Sequence, residues 1–138
     1  MTTTSTTPAL SIHEAVDDVR NRHISAVNSG DVQAAASLFA VDAVFLPPGQ
    51  PAIEGTASIQ AWFNYVLGQF NIRGFSMRPG DVAQYGDIMI EHGGWEATFE
   101  PKDGSKALPA GGTYLTVYAG LSDGRVLVIR DTFNGLPA

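Results

Sequence analysis

Between Ile12 and Val27 the apolar positions recur at helical spacing. Ile12, Val16, Val19, His23, Ile24 and Val27 share one side, Asp17, Asp18, Arg20 and Asn21 fall largely elsewhere, and Ser11 with Glu14 forms a capping box. Gly30 suits the end of that helix. Asp31 suits the cap of a second, short helix whose buried stripe is Val32, Ala35, Leu38 and Phe39. A strand is predicted over residues 42–46, stopped by Pro47-Pro48-Gly49, because proline cannot donate to a ladder. Thr56 is placed to cap a third helix in which Ile59, Trp62, Phe63, Val66, Leu67 and Phe70 follow i, i+3, i+4, i+7 spacing.

After Arg73 the period shortens to two. Strands are predicted over residues 75–77, 82–85, 88–99, 113–121 and 126–133, with turns at Pro79-Gly80, Gly86-Asp87, Asp103-Gly104 and Asp123-Gly124. Gly93-Gly94 inside the longest of them marks a bulge that would bend the sheet. Helices first and a meander of strands afterwards indicate an α+β domain, with a curved antiparallel sheet and N-terminal helices packed over it. The opening, Met1 to Pro8, is rich in Thr and Ser and too polar to pack. Residues 1–10 are therefore expected to be a disordered tail and residues 11–138 one domain.

Composition narrows the partners. The 138 residues are 44% apolar and 16% charged, as in an ordinary globular chain, and the formal charge is −6. Nucleic acid and anionic membrane both need clustered Lys and Arg, and the eight here are scattered, with Arg73, Arg78, Lys102 and Lys106 near expected loops. No run approaches the roughly 18 apolar residues of a membrane span. With no cysteine, disulfides and thiolate chemistry are excluded, which agrees with a cytoplasmic location.

The order of these elements, together with Ala26-Val27-Asn28-Ser29-Gly30-Asp31, Leu38-Phe39-Ala40-Val41-Asp42-Ala43-Val44, Glu54-Gly55-Thr56-Ala57-Ser58-Ile59 and Asp123-Gly124-Arg125-Val126, resembles the nuclear transport factor 2-like superfamily. Within it the chain looks most like the SnoaL-like, ketosteroid isomerase-related small proteins, over about residues 11–135. The resemblance implies a cone-shaped α+β roll of cystatin-like type, commonly dimeric, with a pocket between helices and sheet. It does not imply one chemistry, since that cone hosts isomerases, cyclases, dehydratases, hydrolases and binding domains. Carried over residue by residue, the steroid isomerase pattern puts Pro47 where those enzymes have their aspartate base. It puts His23 at their oxyanion-binding tyrosine and the region of Tyr114 near their second aspartate. The missing base argues against steroid isomerisation by that mechanism.

Two residues stand out as proton-handling candidates. His23 is a titratable ring on the apolar side of the first helix, where it is either a pocket group or a buried histidine satisfied by a backbone or carboxylate partner. Asp131 shares strand parity with Leu127, Ile129 and Phe133, so it points with them and needs a partner: His23, an arginine or a backbone amide. Tyr114, Trp62, Phe45 and Trp95 are candidate substrate-binding residues or plain core, and Tyr114 has a hydroxyl that seeks a partner when buried. Asp42 is assigned to the helix-to-strand turn, and Glu91, Glu96 and Glu100 to solvated charges on or near strand ends. No metal spacing is visible among His13, His23 and His92, and no nucleotide or serine-hydrolase motif occurs.

The expectation is a cofactor-independent, metal-free pocket protein of isomerase, cyclase or hydrolase type for a small apolar or carbonyl metabolite, using His23 and Asp131. The alternative is a non-catalytic ligand-binding or dimerising domain of the same fold. Residues 115–119 and 126–129 are apolar on both strand parities, which predicts a homodimer through the outer face of the sheet.

Overall fold

The computed structural model describes residues 11–135, so the expectation for residues 1–10 lies outside the described residues. Helix α1 (Ile12–Ser29) starts in the capping box, with Ser11 Oγ accepting from the Glu14 amide and Glu14 reaching back to the Ser11 amide. It ends at Gly30, whose φ of 72° is left-handed and favours glycine. Asp31 caps α2 (Val32–Ala36) through the Ala34 amide. That helix is one turn long: Phe39 already opens strand β1 (Phe39–Leu46), so Leu38 and Phe39 are not its stripe and Asp42 lies in the strand. Strand β2 (Ile53–Glu54) follows, then α3 (Thr56–Gln69). Gly55, not Thr56, occupies the N-cap of α3, and the Thr56 hydroxyl donates to the Ala40 carbonyl instead.

Four long strands complete the chain: β3 (Phe70–Tyr85), β4 (Ile88–Pro101), β5 (Leu108–Gly120) and β6 (Val126–Phe133). The six strands form one sheet in the order β2-β1-β6-β5-β4-β3. Every pairing is antiparallel except β1 with β6, which is parallel, α3 carrying the chain from β2 at one edge of the sheet to β3 at the other. The helices cover one face of this curved sheet, giving the α+β architecture expected from the sequence.

Three register shifts in the antiparallel pairs shape the curve, and a fourth lies between Phe39 and Val44 where β1 pairs with β6. Pro79-Gly80 is not a turn: both lie within β3, where Gly80 is an extra residue opposite Gly93 and His92. Proline is tolerated there because β3 is the sheet edge and a bulge interrupts the ladder. The bulge signalled by Gly93-Gly94 therefore has its extra residue on the neighbouring strand. Gly93 is needed for close approach, since a Cβ on it would collide with the Arg78 carbonyl and lie 2.8 Å from the Tyr114 hydroxyl. A second shift lies between Arg73 and Ser76. The third places Ile129 as an unpaired residue of β6, so that Tyr118 opposes Val128 while Val117 opposes Arg130.

That last bulge changes a face assignment. Asp131 does not share its side with Leu127, because the extra residue, Ile129, flips parity between Val128 and Asp131. The inward cross-strand pairs of β5 and β6 are instead Tyr114 with Phe133, Thr116 with Asp131, and Tyr118 with Val128. Asp131 still faces the helices, with Phe133 on one side of it and Val128 on the other.

Candidate functional site

Helices α1 and α3 do not close fully onto the sheet, and a cavity of about 330 Å³ remains between them. That lies at the small end of the range for small-molecule sites, roughly 300–1,000 Å³. Its wall is largely aromatic. Phe45, Trp62, Phe63, Phe75, Trp95 and Phe133 surround it, with Trp62 edge-on to Phe45 at 4.7 Å between ring centroids and Trp95 edge-on to Phe133 at 5.5 Å. The polar side chains in the wall are His23, Gln50, Trp62, Trp95, Tyr114 and Asp131, and no lysine or arginine lines it.

All six residues singled out from the sequence therefore border one cavity, though not with the partners expected of them. His23 enters from α1 and packs edge-on against Phe75 at 5.5 Å and Phe63 at 6.2 Å. Among the described residues no hydrogen bond reaches its ring. Burial among those rings pushes its pKa down to about 4, so the imidazole is neutral at physiological pH. Asp131 takes its side-chain hydrogen bond from Thr116, whose Oγ1 donates to Oδ1 at 2.7 Å. Burial raises the Asp131 carboxyl to about 7, with the Thr116 bond opposing and the Glu91 charge adding. His23 and Asp131 thus face the same space without touching each other, and a direct imidazole-carboxylate bond is absent.

The other candidates divide by what they do with their polar atoms. Trp95 donates Nε1 to the Asn134 carbonyl at 2.8 Å. Trp62 Nε1 is buried with no partner. The Tyr114 hydroxyl crosses Gly93 and donates to Glu91 Oε2 at 2.5 Å. Burial, then the Glu91 bond, push the Tyr114 pKa up, so this phenol keeps its proton.

Glu91 and Arg20 are the residues that sequence reasoning missed. Glu91 is not a solvated charge but fully buried, and Arg20 is buried rather than on the polar side of α1. Arg20 binds Glu91 in bidentate fashion, Nε to Oε2 at 3.0 Å and Nη2 to Oε1 at 2.7 Å, and Nη1 reaches the more exposed Asp17 at 2.8 Å. Tyr118 adds a longer bond to Glu91 Oε1 at 3.4 Å. A signal for both was present. Glu91 alternates with Met89, Trp95, Ala97 and Phe99 on the inward parity of β4, and Arg20 stands one turn from Val16 and His23 on α1. By contrast Glu96 is exposed and Glu100 pairs with Arg73 at the surface.

Among the described residues no group of three potential metal ligands gathers. Pro47, at the position the steroid isomerase pattern gives to its base, is buried and does not border the cavity.

Residues 21–128 match the model of the SnoaL-like domain. No curated protein matches the chain. Among solved structures, a conserved protein from Planctomyces limnophilus is similar with a TM-score of 0.84 at 20% identity, over 92% of this chain and 98% of that one. A ketosteroid isomerase-like protein from Erwinia carotovora atroseptica gives 0.81 at 18% identity, over 91% and 96%. An NTF2-like protein from Cytophaga hutchinsonii gives 0.72 at 19% identity, over 92% and 100%. Likeness at such identities establishes the fold and leaves the chemistry to the site.

Proposed function

Because the chain belongs to the SnoaL-like domain family, we propose that it is a cofactor-independent pocket protein that moves a proton on a small, uncharged apolar or carbonyl compound. The observation that carries this reading is Asp131, a carboxyl in an otherwise largely aromatic cavity whose pKa of about 7 suits both taking and returning a proton at neutral pH. The ligand is uncharged in this reading because no lysine or arginine lines the cavity to balance an anion. Asp131 as carboxylate takes a proton from the carbon between a carbonyl and a C=C bond, the C–H electron pair forms a new C=C bond as the carbonyl π pair moves to oxygen, and Asp131 returns the proton at the far carbon of the dienolate while the oxygen pair reforms the carbonyl. His23, neutral and unpartnered, offers an N–H to the carbonyl oxygen on the opposite wall. Isomerase and cyclase outcomes begin from such a step, whereas a hydrolase-type outcome has the same carboxylate take the proton of an attacking water instead. Trp62, Phe45, Trp95 and Tyr114 supply the apolar grip.

Proton exchange tests this directly. In deuterium oxide the protein should accelerate label uptake beside the carbonyl of small aryl ketones and enones, and Asp131→Asn should abolish it. The alternative, a non-catalytic ligand-binding domain, is favoured by one observation, that His23 and Asp131 do not touch. Compounds that quench the tryptophan fluorescence yet exchange no faster than in buffer would establish that alternative.

The same reading takes a second copy of the chain as the macromolecular partner and the cytoplasm as its location. Ile88, Ile90, Val117, Ala119 and Leu127 are only half-buried on the outer face of the sheet, and Leu115 is exposed. A C2 dimer would cover them. Sedimentation as a monomer at micromolar concentration would overturn the dimer. No helix among the described residues is long and apolar enough to cross a membrane.

A further inference from the structure

Thr116 stands between two acids on one inward rung of the sheet, opposite Glu91 on β4 and opposite Asp131 on β6. Its single hydroxyl proton has two acceptors to choose from. Glu91 already receives Arg20 Nε and Nη2, the Tyr114 hydroxyl and the Tyr118 hydroxyl. A carboxylate offers roughly four lone-pair sites, so Glu91 has none left. The Thr116 hydroxyl turns the other way and donates to Asp131 Oδ1. A β-branched side chain is stiff at χ1, and Thr116 is buried at 4% exposure, so this direction is fixed by packing as well as by the bond.

We propose that Thr116 is a positioning residue: by occupying Oδ1 it makes Oδ2 the oxygen through which Asp131 exchanges its proton with the cavity. The proposal rests on the reading of Asp131 as the proton-transfer group. A donor already seated on Oδ1 makes that oxygen the poorer site for a proton, which leaves Oδ2. The bond also favours the ionised form and so works against burial, keeping the group near neutrality instead of permanently protonated. The other groups that act on Asp131 are Glu91 of β4, whose charge opposes ionisation and is paired with Arg20 of α1, the Thr132 backbone amide of β6, which favours ionisation less strongly than the Thr116 hydroxyl does, and Tyr118 of β5. His23 of α1 and Tyr114 of β5 border the same cavity, and Phe45 of β1 is the neighbour on the remaining side.

The carboxyl carbon of Asp131, followed by NMR through a pH titration of the full chain, tests this. Thr116→Val, which keeps the shape and removes the hydroxyl, should raise the Asp131 midpoint by about one pH unit, and Thr116→Ser should restore it. Exchange of a ketone probe should show the same displacement of its pH profile. In the unmodified chain the Thr116 methyl signal should move with the Asp131 titration, a readout that survives if the valine variant does not fold. A midpoint unmoved by Thr116→Val, a serine variant that fails to restore it, or a Thr116 methyl that is flat through the midpoint would each overturn the proposal. An Asp131 that titrates in the unmodified chain at the ordinary aspartate value would overturn the parent reading as well, so the two failures are distinct.

Discussion

Glu91 and Asp131 stand on one rung of the sheet with Thr116 between them, and they differ in almost everything that surrounds them. Glu91 has a guanidinium in bidentate contact and two phenols, and it is sealed from solvent and cavity alike. Asp131 has one neutral hydroxyl and a backbone amide, with no cation, and borders open space. A buried acid matched by a cation and a full set of donors is spent on holding its neighbours, here α1 to β4 and the Tyr114 ring across Gly93. An acid buried with neutral partners only keeps an exchangeable proton, and that condition is the one chemistry can use. Burial alone therefore does not distinguish a structural carboxyl from a functional one; the count and charge of its partners do.

The comparison breaks most severely at Arg20. Arg20→Ala should leave Glu91 buried beside no cation and cost about 3–5 kcal/mol of folding stability, measured by denaturant unfolding. A loss below about 1 kcal/mol would mean that the Glu91 side of the rung does not depend on its charge match. Tyr114→Phe is milder. It removes one hydrogen bond to a charged acceptor and should cost about 1.5–3 kcal/mol, while leaving the aromatic wall in place.

The pH dependence of stability sharpens the other side. The Asp131 pKa is raised in the folded state, to about 7 from 3.8, so the native chain holds a proton that the unfolded chain has lost. Its contribution is present below pH 3.8 and is lost as pH rises toward 7. The His23 pKa is lowered, to about 4 from 6.5, so the unfolded chain holds the extra proton and stability rises with pH across that window. The two slopes oppose each other between about pH 4 and 6.5, and the unmodified chain should be nearly flat there. Asp131→Asn should unmask a rise, and His23→Gln a fall, each approaching but not exceeding about 1.4 kcal/mol per pH unit. Parallel curves for both variants, measured by thermal unfolding across that window, would show that the cavity does not perturb these groups. The smallest effect serves as the control: Arg73→Ala breaks an exposed pair with Glu100 and should cost under about 0.5 kcal/mol.

Much of the architecture was legible because each signal was local. The capping box at Ser11, the left-handed Gly30 and the Asp-Gly turn at residues 123–124 depend on a few neighbouring residues, and the element order followed from period alone. What escaped was set by pairing between strands. Pro79-Gly80 carries a turn signature, yet edge position and a bulge absorb it into β3. The extra residue at Ile129 cannot be seen in β6 by itself, so parity placed Asp131 with Leu127 when it shares its side with Val128 as well as Phe133. At the site, His23, Asp131 and the aromatic residues could be named because polar groups on apolar faces are conspicuous. Arg20 and Glu91 each stand at an inward position, yet they could not be matched to each other, since 71 residues separate them and only the sheet register brings them together.

The cavity reverses the usual order of an aspartate and a histidine. Carbon-detected NMR titration of Asp131 and His23 in one sample measures it without any ligand. The expected midpoints are near 7 for the Asp131 carboxyl and near 4 for the His23 ring. Midpoints in the ordinary order, with Asp131 titrating below about 5 and His23 above about 6, would contradict it.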